Sequence, residues 1–539
     1  MYNKETGQIS LAEFNSPFGE LDPTNRWVRI AKLIPWIHYE NEYAKKFSPD
    51  NGTPALPFRM AMGTLIIKQI TGHSDDQVLQ DIIENPYMQY LIGLHEFTTE
   101  PPFAQRTITN FRKYVSQEMV NEINETLFFT AASEKKEPPQ EPGAPGEGTD
   151  AESVGPIIQE PAAQQEPPES AETSEDDKID NDNTMKASQP EETKAALPWI
   201  VPMQPFPPLI NQGKIIIDAT CTPAYIAYPT DINLLNEARE KLEGMIDALF
   251  PTGSNVSKPR TYRISARKDF VRFSKNRKPS KKKIRKAIGQ QLRYVRRNVG
   301  HVDELIKKFG DLNLDANQKA WLETIRTLYW QQKTMYDTKT HSIEDRIVSI
   351  GQPHVRPIVR GKAGAPVEFG AKVNCFMVNG YAFIDTISWD AYNEEERLIP
   401  VIERYKERFG FYPEAVQVDK IYRNRENIKY CKERGIRISG PRLGRPPKET
   451  DKTVIEQNLK DSSERNAIEG KFGEGKTKYG IERVMARLKD SSETVISVAF
   501  LCMNISKRLR CLLRYFVICE ILAILYTRVR RLFEKELYA

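Results

Sequence analysis

The chain has 539 residues, a formal net charge of +5 and six cysteines, which is enough sequence for roughly three domains at ~100–200 residues each. The cysteines are scattered without a Cys-x2-Cys pair and the first residues lack an apolar core, which argues against a disulfide-rich secreted protein and a zinc finger and predicts a reduced, cytoplasmic protein. Residues 134–194 contain 17 acidic and 5 basic residues, so the rest of the chain is strongly basic and suits a polyanionic partner.

Residues 1–130 are predicted to form an all-α N-terminal domain. Apolar residues recur there at helical spacing, as in Met60, Leu65 and Ile66, until a break at Gly72. Ser74 has the properties of an N-cap for the next helix. Two short helices joined by a tight turn are compatible with a DNA-binding helix-turn-helix, but ordinary packing explains the same pattern, and both interpretations stay open.

Residues 131–197 are rich in Pro, Glu, Gln, Ala and Ser. Such a composition buries too little apolar surface to offset chain entropy, and it predicts a disordered acidic linker. A spacer is the favoured role, and a DNA-mimicking autoinhibitory arm is the alternative.

The first strand signal begins at Lys214, where Ile215, Ile216 and Ile217 run into Asp218. This predicted strand lies in residues 198–229, which form the first part of the predicted core. Residues 230–350 are then predicted to be helical and basic, since 17 Lys or Arg stand against one acid between Lys258 and Arg297. This insertion is expected to track DNA phosphates, and its candidate DNA-binding residues are Lys281, Lys282, Lys283, Arg285 and Lys286.

The remainder of the core is predicted in residues 351–490, followed by C-terminal helices in 491–539. The expected strands are Val367–Val378, Tyr381–Ser388, Ala415–Val418 and Ile436–Ser439, and the expected helices are Glu394–Arg408 and Arg425–Arg434. With the insertion between strands 1 and 2 set aside, this is the order of an α/β, ribonuclease H-like core. Asp218 and Asp419 would then meet at the carboxyl ends of adjacent strands. The apolar run Tyr515–Tyr526 contains Glu520 and is shorter than the ~20 residues of a membrane span, so a buried helix and no membrane partner are expected.

The third acid is sought in the segment Arg465-Asn-Ala-Ile-Glu469-Gly-Lys-Phe-Gly-Glu-Gly-Lys476. At about 100° per residue, Arg465, Glu469 and Lys476 share one helical face. A solvated ion-pair stripe is the commoner explanation for such spacing. The glycines at 470, 473 and 475 oppose that explanation, because each costs ~1 kcal/mol in a helix unless something such as a DNA backbone approaches closely.

The sequence resembles the DDE-type transposases of bacterial insertion sequences, which have a helical N-terminal domain and an Arg-x3-Glu-x6-Lys motif. The resemblance rests on these segments: Asp218-Ala-Thr-Cys221, residues 229–239, residues 346–350, residues 354–362, residues 369–372, residues 418–426, residues 440–448 and residues 465–473. Related groups often have Tyr three residues before the motif arginine, where this chain has Ser462.

The resemblance implies that Asp218, Asp419 and Glu469 are the catalytic, metal-binding triad. Carboxylate oxygens suit Mg²⁺ or Mn²⁺, and two such ions per site are expected. The implied partners are the terminal inverted repeats of the transposon and target DNA, with a homodimer or higher oligomer on the DNA ends, in the nucleoid of a prokaryotic cell. Arg465 and Lys476 would then contact phosphates beside the scissile bond.

A basic Pro-rich loop, residues 443–448, is a further DNA-binding candidate. Arg445 could enter a narrow A·T-rich minor groove, or the loop could simply connect two elements. For the whole chain, the alternatives to an active transposase are a catalytically silent protein that binds transposon ends and, more distantly, a nuclease acting on RNA–DNA hybrids.

Overall fold

The computed structural model describes residues 10–48, 54–133, 211–251, 257–359, 367–440, 443–444 and 452–537. The predicted linker falls almost entirely outside the described residues, and so does Arg445. Within the described part the chain is a mixed α/β protein with more helix than strand, in agreement with the predicted class.

Helices fill the described part of the chain before residue 134. They are α1 (Arg26–Leu33), α2 (Trp36–Ala44), α3 (Phe58–Thr71), α4 (Asp75–Glu84), α5 (Pro86–Leu91), α6 (Arg106–Tyr114) and α7 (Gln117–Ser133). Helix α3 ends at Gly72, whose left-handed conformation (φ +73°) a side chain would disfavour. Ser74 then caps α4 by accepting a hydrogen bond from the Gln77 amide, as its position predicted.

The described strands form one mixed sheet. They are β1 (Lys214–Pro223), β2 (Arg356–Val359), β3 (Val367–Val378), β4 (Tyr381–Ser388), β5 (Ala415–Gln417) and β6 (Arg437–Ile438). The order is β2-β3-β1-β5-β6, and β4 also pairs with β3. Strand β1 is antiparallel to β3 and parallel to β5, and β5 is parallel to β6.

The described residues between β1 and β2 form four helices: α8 (Asp231–Leu249), α9 (Arg263–Ser274), α10 (Lys281–Phe309) and α11 (Ala316–Thr338). Three of them bury a core of their own, with Leu235 of α8, Val295 of α10 and Ile325 of α11 fully inaccessible. The insertion is therefore helical, and its apolar residues pack mainly on one another.

The later helices cover the two faces of the sheet. They are α12 (Leu398–Phe409), α13 (Arg425–Glu433), α14 (Lys452–Lys478) and α15 (Lys489–Leu537). Ile215 and Ile217 of β1 pack with residues of α12 and α13. Ile216 belongs to the opposite face, where α14, α15 and the N-terminal helices contribute to one continuous core. A buried polar network also joins these parts, since Asn504 of α15 donates to Asn124 of α7 (2.7 Å) and to the Ala382 carbonyl of β4 (2.8 Å).

Two features of the core differ from the expectations. Strand β2 has no counterpart among the strands expected from the sequence. The expected helix Glu394–Arg408 begins with a 3-10 turn over Glu394–Arg397, and its α-helical part starts at Leu398. Pro400, which lacks an amide hydrogen, is tolerated in that first α-helical turn.

The expectation that the C-terminal apolar run forms a buried helix is wrong for the described side chains. The run lies in α15, and its described side chains Leu522, Leu525 and Tyr526 are exposed. Among the described residues, no helix carries an apolar stretch long enough to cross a membrane.

Candidate active site

Alternation along β1 determines which side chains face α14. Lys214, Ile216 and Asp218 share one face because side chains in a strand alternate between the two faces of a sheet. Lys214 Nζ lies 3.0 Å from Glu464 Oε2 of α14, and Ile216 joins the core that contains Ile468. Asp218 is thus directed to the face that α14 covers, and its side chain is only 18% exposed.

The pairing of two parallel strands brings Asp419 near Asp218. Ile216 of β1 is paired with Gln417 of β5, and Asp218 and Asp419 each follow two residues later. Asp419 caps the 3-10 turn Lys420–Tyr422, and its Oδ1 accepts the Lys420 amide at 2.7 Å. The two acids therefore lie on neighbouring strands, but only Asp419 follows a strand end. Asp218 lies within β1, which continues to Pro223 alongside β3, so the expectation that both acids stand at carboxyl ends is wrong for Asp218.

Helix α14 connects the third acid, Glu469, to Asp218 through Arg465. Arg465 Nη1 lies 3.5 Å from Asp218 Oδ2, and its Nη2 lies 3.4 Å from Glu469 Oε1, one helical turn further along. The Glu469 side chain is 58% exposed, so it can reach solvent or a ligand. Arg465 therefore bridges two of the three acids, whereas the sequence analysis assigned it to DNA phosphate.

Burial raises the pKa of Asp218 to about 6. A hydrogen bond from the Ala219 amide and the charge of Arg465 oppose this rise, whereas the carboxylates of Glu394 and Asp419 add to it.

A buried carboxylate beside other acids is stabilised by a cation. The oxygen-only donors suit a hard divalent ion, so the residue types fit Mg²⁺ or Mn²⁺. In the arrangement that the described residues adopt, however, no three His, Cys, Asp or Glu side chains come together as a ligand group.

The glycines of α14 have separate explanations. A Cβ on Gly475 would lie 2.7 Å from Ile481 Cδ1, so packing against Ile481 within this chain favours glycine there. A Cβ on Gly470 or Gly473 would meet nothing within 4 Å. Gly475 therefore has an explanation within the fold, whereas close approach of a DNA backbone remains the prediction for Gly470 and Gly473.

Sequence reasoning missed Glu394. It lies in the 3-10 turn before α12, where its Oε1 is 2.9 Å from Lys372 Nζ of β3. The side chain is 22% exposed, and its charge raises the pKa of Asp218. Three consecutive acids at 394–396 are the available signal, but in the sequence they indicate only the beginning of an amphipathic helix.

A second missed acid, Asp385, is fully buried on β4. It is paired with Arg397 Nε (2.8 Å) and Arg404 Nη1 (3.1 Å) of the following helical segment, and it accepts a hydrogen bond from Asn374. An aspartate inside the apolar strand Tyr381–Ser388 is the signal that could have revealed it. We attribute to it a role in attaching α12 to the sheet.

The basic residues that were predicted to bind DNA lie in different environments. Lys281, Lys282, Lys283 and Lys286 are exposed in the first turns of α10. Arg285 is held to α11, since its Nη1 donates to the Tyr336 carbonyl at 2.8 Å and its guanidinium lies 4.1 Å from the centre of the Tyr336 ring. Lys476 is half-buried in the last turn of α14.

Comparisons with known proteins cover two parts of the chain. Residues 416–506 match the family described as "Transposase DDE domain", a span that contains Asp419, Arg465, Glu469 and Lys476. Residues 17–114 match "Transposase domain (DUF772)". One relative is an uncharacterised protein, ORF8 in the nfe locus of Rhizobium meliloti, with 30% identity over 103 residues.

That match covers 19% of this chain and 49% of the relative, so the chain spans about half of the relative's length. No solved structure matches the chain. The two domain matches lie at the helical N-terminal region and at the second part of the candidate site. These matches support the resemblance of the chain to the DDE-type transposases of insertion sequences.

Proposed function

We propose that the chain cuts DNA at the ends of an insertion sequence and joins the freed strands to target DNA. The observation that carries the proposal is that Asp218 and Asp419 lie on neighbouring strands while Arg465 of α14 contacts both Asp218 and Glu469. We further propose a ribonuclease H-like core, which the antiparallel order β4-β3-β1 and the parallel order β1-β5-β6 support.

In this proposal Asp218, Asp419 and Glu469 hold Mg²⁺ or Mn²⁺. Two such ions, when bound, activate the attacking oxygen and stabilise the leaving oxygen of an in-line displacement. The chain's own residues position the DNA. Arg465 exchanges its contacts with Asp218 and Glu469 for contacts with phosphate, and Lys476, on the same helix, adds positive charge beside the scissile bond.

The exposed lysines of the insertion supply affinity for the DNA backbone in this proposal. Four lysines at the start of α10 face solvent, where they can displace counterions from phosphates. Arg445, in the basic Pro-rich loop, and the α3–α4 pair are further DNA contacts within the proposal. We expect two or more copies of the chain on paired transposon ends.

The proposal is tested by cleavage of labelled transposon ends in Mg²⁺. Asp218→Asn, Asp419→Asn and Glu469→Gln should each abolish cleavage while end binding persists, because a carboxamide keeps the shape but loses the charge that holds the metal. Glu456→Gln, an exposed acid on the same helix α14, is the matched control and should cleave normally. A triad variant that cleaves at the wild-type rate would remove its residue from the triad.

A second candidate function is a protein that binds transposon ends without cutting. The position of Arg465 between Asp218 and Glu469 is the observation that favours it, because a fixed cation there would exclude a metal ion. End binding by the wild-type chain without cleavage in either Mg²⁺ or Mn²⁺ would favour this alternative. Cleavage of an RNA–DNA hybrid but not of DNA ends would favour a hybrid nuclease instead.

A further inference from the structure

A cleft of about 490 Å³ lies where the insertion meets the sheet. It is bounded by the loop after β1, by α8 and α11 of the insertion, and by the segment before α15. Its lining includes Tyr225, Tyr228, Lys241, Trp321 and Arg487. Neither the metal-binding acids nor the basic run of α10 takes part in it.

The loop after β1 holds two tyrosines open to solvent on a fixed backbone. Tyr225 is 37% exposed and Tyr228 is 73% exposed. The Tyr225 amide donates to the Val484 carbonyl (3.0 Å), and its carbonyl accepts from Gln352 Nε2 (3.0 Å). Tyr228 packs edge-on against Phe369 at 5.7 Å between ring centres. Because the backbone is already ordered, a ligand that stacks on these rings need not order the loop first.

Cations accompany the aromatic rings. The guanidinium of Arg483 lies 3.9 Å from the centre of the Tyr225 ring, and Lys241 Nζ lies 3.5 Å from the centre of the Trp321 ring. Glu237 lies 3.6 Å from Lys241 and offsets part of its charge, whereas Arg487 is exposed at the cleft. Aromatic rings that reach solvent beside cationic side chains suit an unpaired nucleotide, since its base stacks on a ring and its phosphate pairs with a cation.

We infer that this cleft binds an unpaired stretch of DNA strand, an inference that rests on the proposed function. A paired duplex keeps its base faces stacked on each other and presents only edges and phosphates, so the aromatic rings favour a single strand. Strand β1 leads from Asp218 towards Tyr225. At ~3.3 Å per residue this path is at most roughly 23 Å, because β1 ends at Pro223 and the chain then turns, and that is the length of about seven nucleotide steps of 3.4 Å. The cleft would thus hold nucleotides within that distance of the scissile phosphate.

The test compares two labelled DNAs that share one duplex, one blunt and one with a single-stranded extension. Binding to the full chain is titrated without divalent metal, so that no cleavage occurs. Tyr228→Leu should weaken binding of the extended DNA roughly tenfold, within the effect expected for removal of one stacked base, and should leave the blunt DNA unchanged. Trp330→Leu is the matched control, because Trp330 is 68% exposed on α11 and does not line the cleft.

A second measurement uses 2-aminopurine in the extension, whose fluorescence falls when it stacks on an aromatic ring. Quenching by the wild-type chain that disappears in Tyr228→Leu supports the inference. The inference would be overturned if Tyr228→Leu bound each DNA as tightly as wild type does, or if the substitution weakened binding of the blunt and the extended DNA equally. Preference for the extended DNA without any cleavage in Mg²⁺ would contradict the proposed function alone, whereas cleavage without that preference would contradict this inference alone.

Discussion

The guanidinium of Arg465 lies 3.5 Å from the carboxylate of Asp218 and thereby connects α14 to the central strand of the sheet. The same side chain contacts Glu469 at 3.4 Å. A positive side chain between two candidate metal ligands competes with a divalent cation for their negative charge. The charge of Arg465 is therefore expected to set how readily the site accepts metal.

Arg465→Gln should bind Mn²⁺ several-fold more tightly than wild type in calorimetric titrations, because the competing charge is gone. It should nevertheless cleave transposon ends about 100-fold more slowly, the typical cost of removing one group that stabilises transition-state charge. Arg510→Gln, which removes an exposed arginine paired with Glu474, is the control and should change neither property. Unchanged metal affinity in Arg465→Gln would contradict the competition.

Asp218→Asn should stabilise the metal-free protein at pH 8. The pKa of Asp218 rises from 3.8 to about 6 on folding, so the folded chain binds more protons than the unfolded chain between these values, and stability falls as pH rises through this window. Above pH 6 the charged Asp218 carboxylate therefore lowers the free energy of unfolding by about 3 kcal/mol, because each pKa unit corresponds to about 1.36 kcal/mol. Chemical unfolding of the wild-type protein and of Asp218→Asn at pH 4 and pH 8 measures the difference between their free energies of unfolding. The difference should be present at pH 8 and nearly absent at pH 4, and the reverse pattern would contradict the assigned burial.

Asp385→Ala should destabilise the chain by roughly 3 kcal/mol, because it leaves Arg397 and Arg404 without their buried partner. Urea unfolding monitored by circular dichroism measures the change. The control is Asp390→Ala, since Asp390 has a 73% exposed side chain near the end of β4 and should matter little. Equal stability of the two variants would exclude the role of Asp385 in attaching α12 to the sheet.

Replacement of Lys281, Lys282, Lys283 and Lys286 by Gln should weaken binding to all DNA alike. The log–log salt dependence should flatten by ~0.9 for each phosphate that the lysines no longer neutralise. Arg285→Gln should change the slope less, because Arg285 already contacts Tyr336. Titrations on end and random DNA across salt concentrations measure both variants. A selective decrease in end binding would show instead that this surface distinguishes sequences.

Local sequence determined the bounds of β3 and β4, since both strands begin and end where they were predicted to, although it did not reveal the shift in their pairing at Asn374 and Cys375. Residues favouring strands flank Asn379 and Gly380, which both adopt positive φ (50° and 77°), the conformation that a tight hairpin turn requires. Caps such as Ser74 were predictable for the same reason, because the interacting atoms lie within a few residues of each other. The candidate acids were also recognisable, two by their position after strand signals and the third by its motif.

Only the tertiary structure decided how these acids are surrounded. The contact of Arg465 with Asp218, the approach of Glu394 and the packing of Gly475 against Ile481 each depend on how the folded chain brings side chains together. Such contacts follow from strand register and from how helices pack across the sheet. A one-residue shift in the pairing of β1 with β5 would separate Asp218 from Asp419, and no local pattern specifies that pairing, because its energy comes from side chains buried together throughout the core.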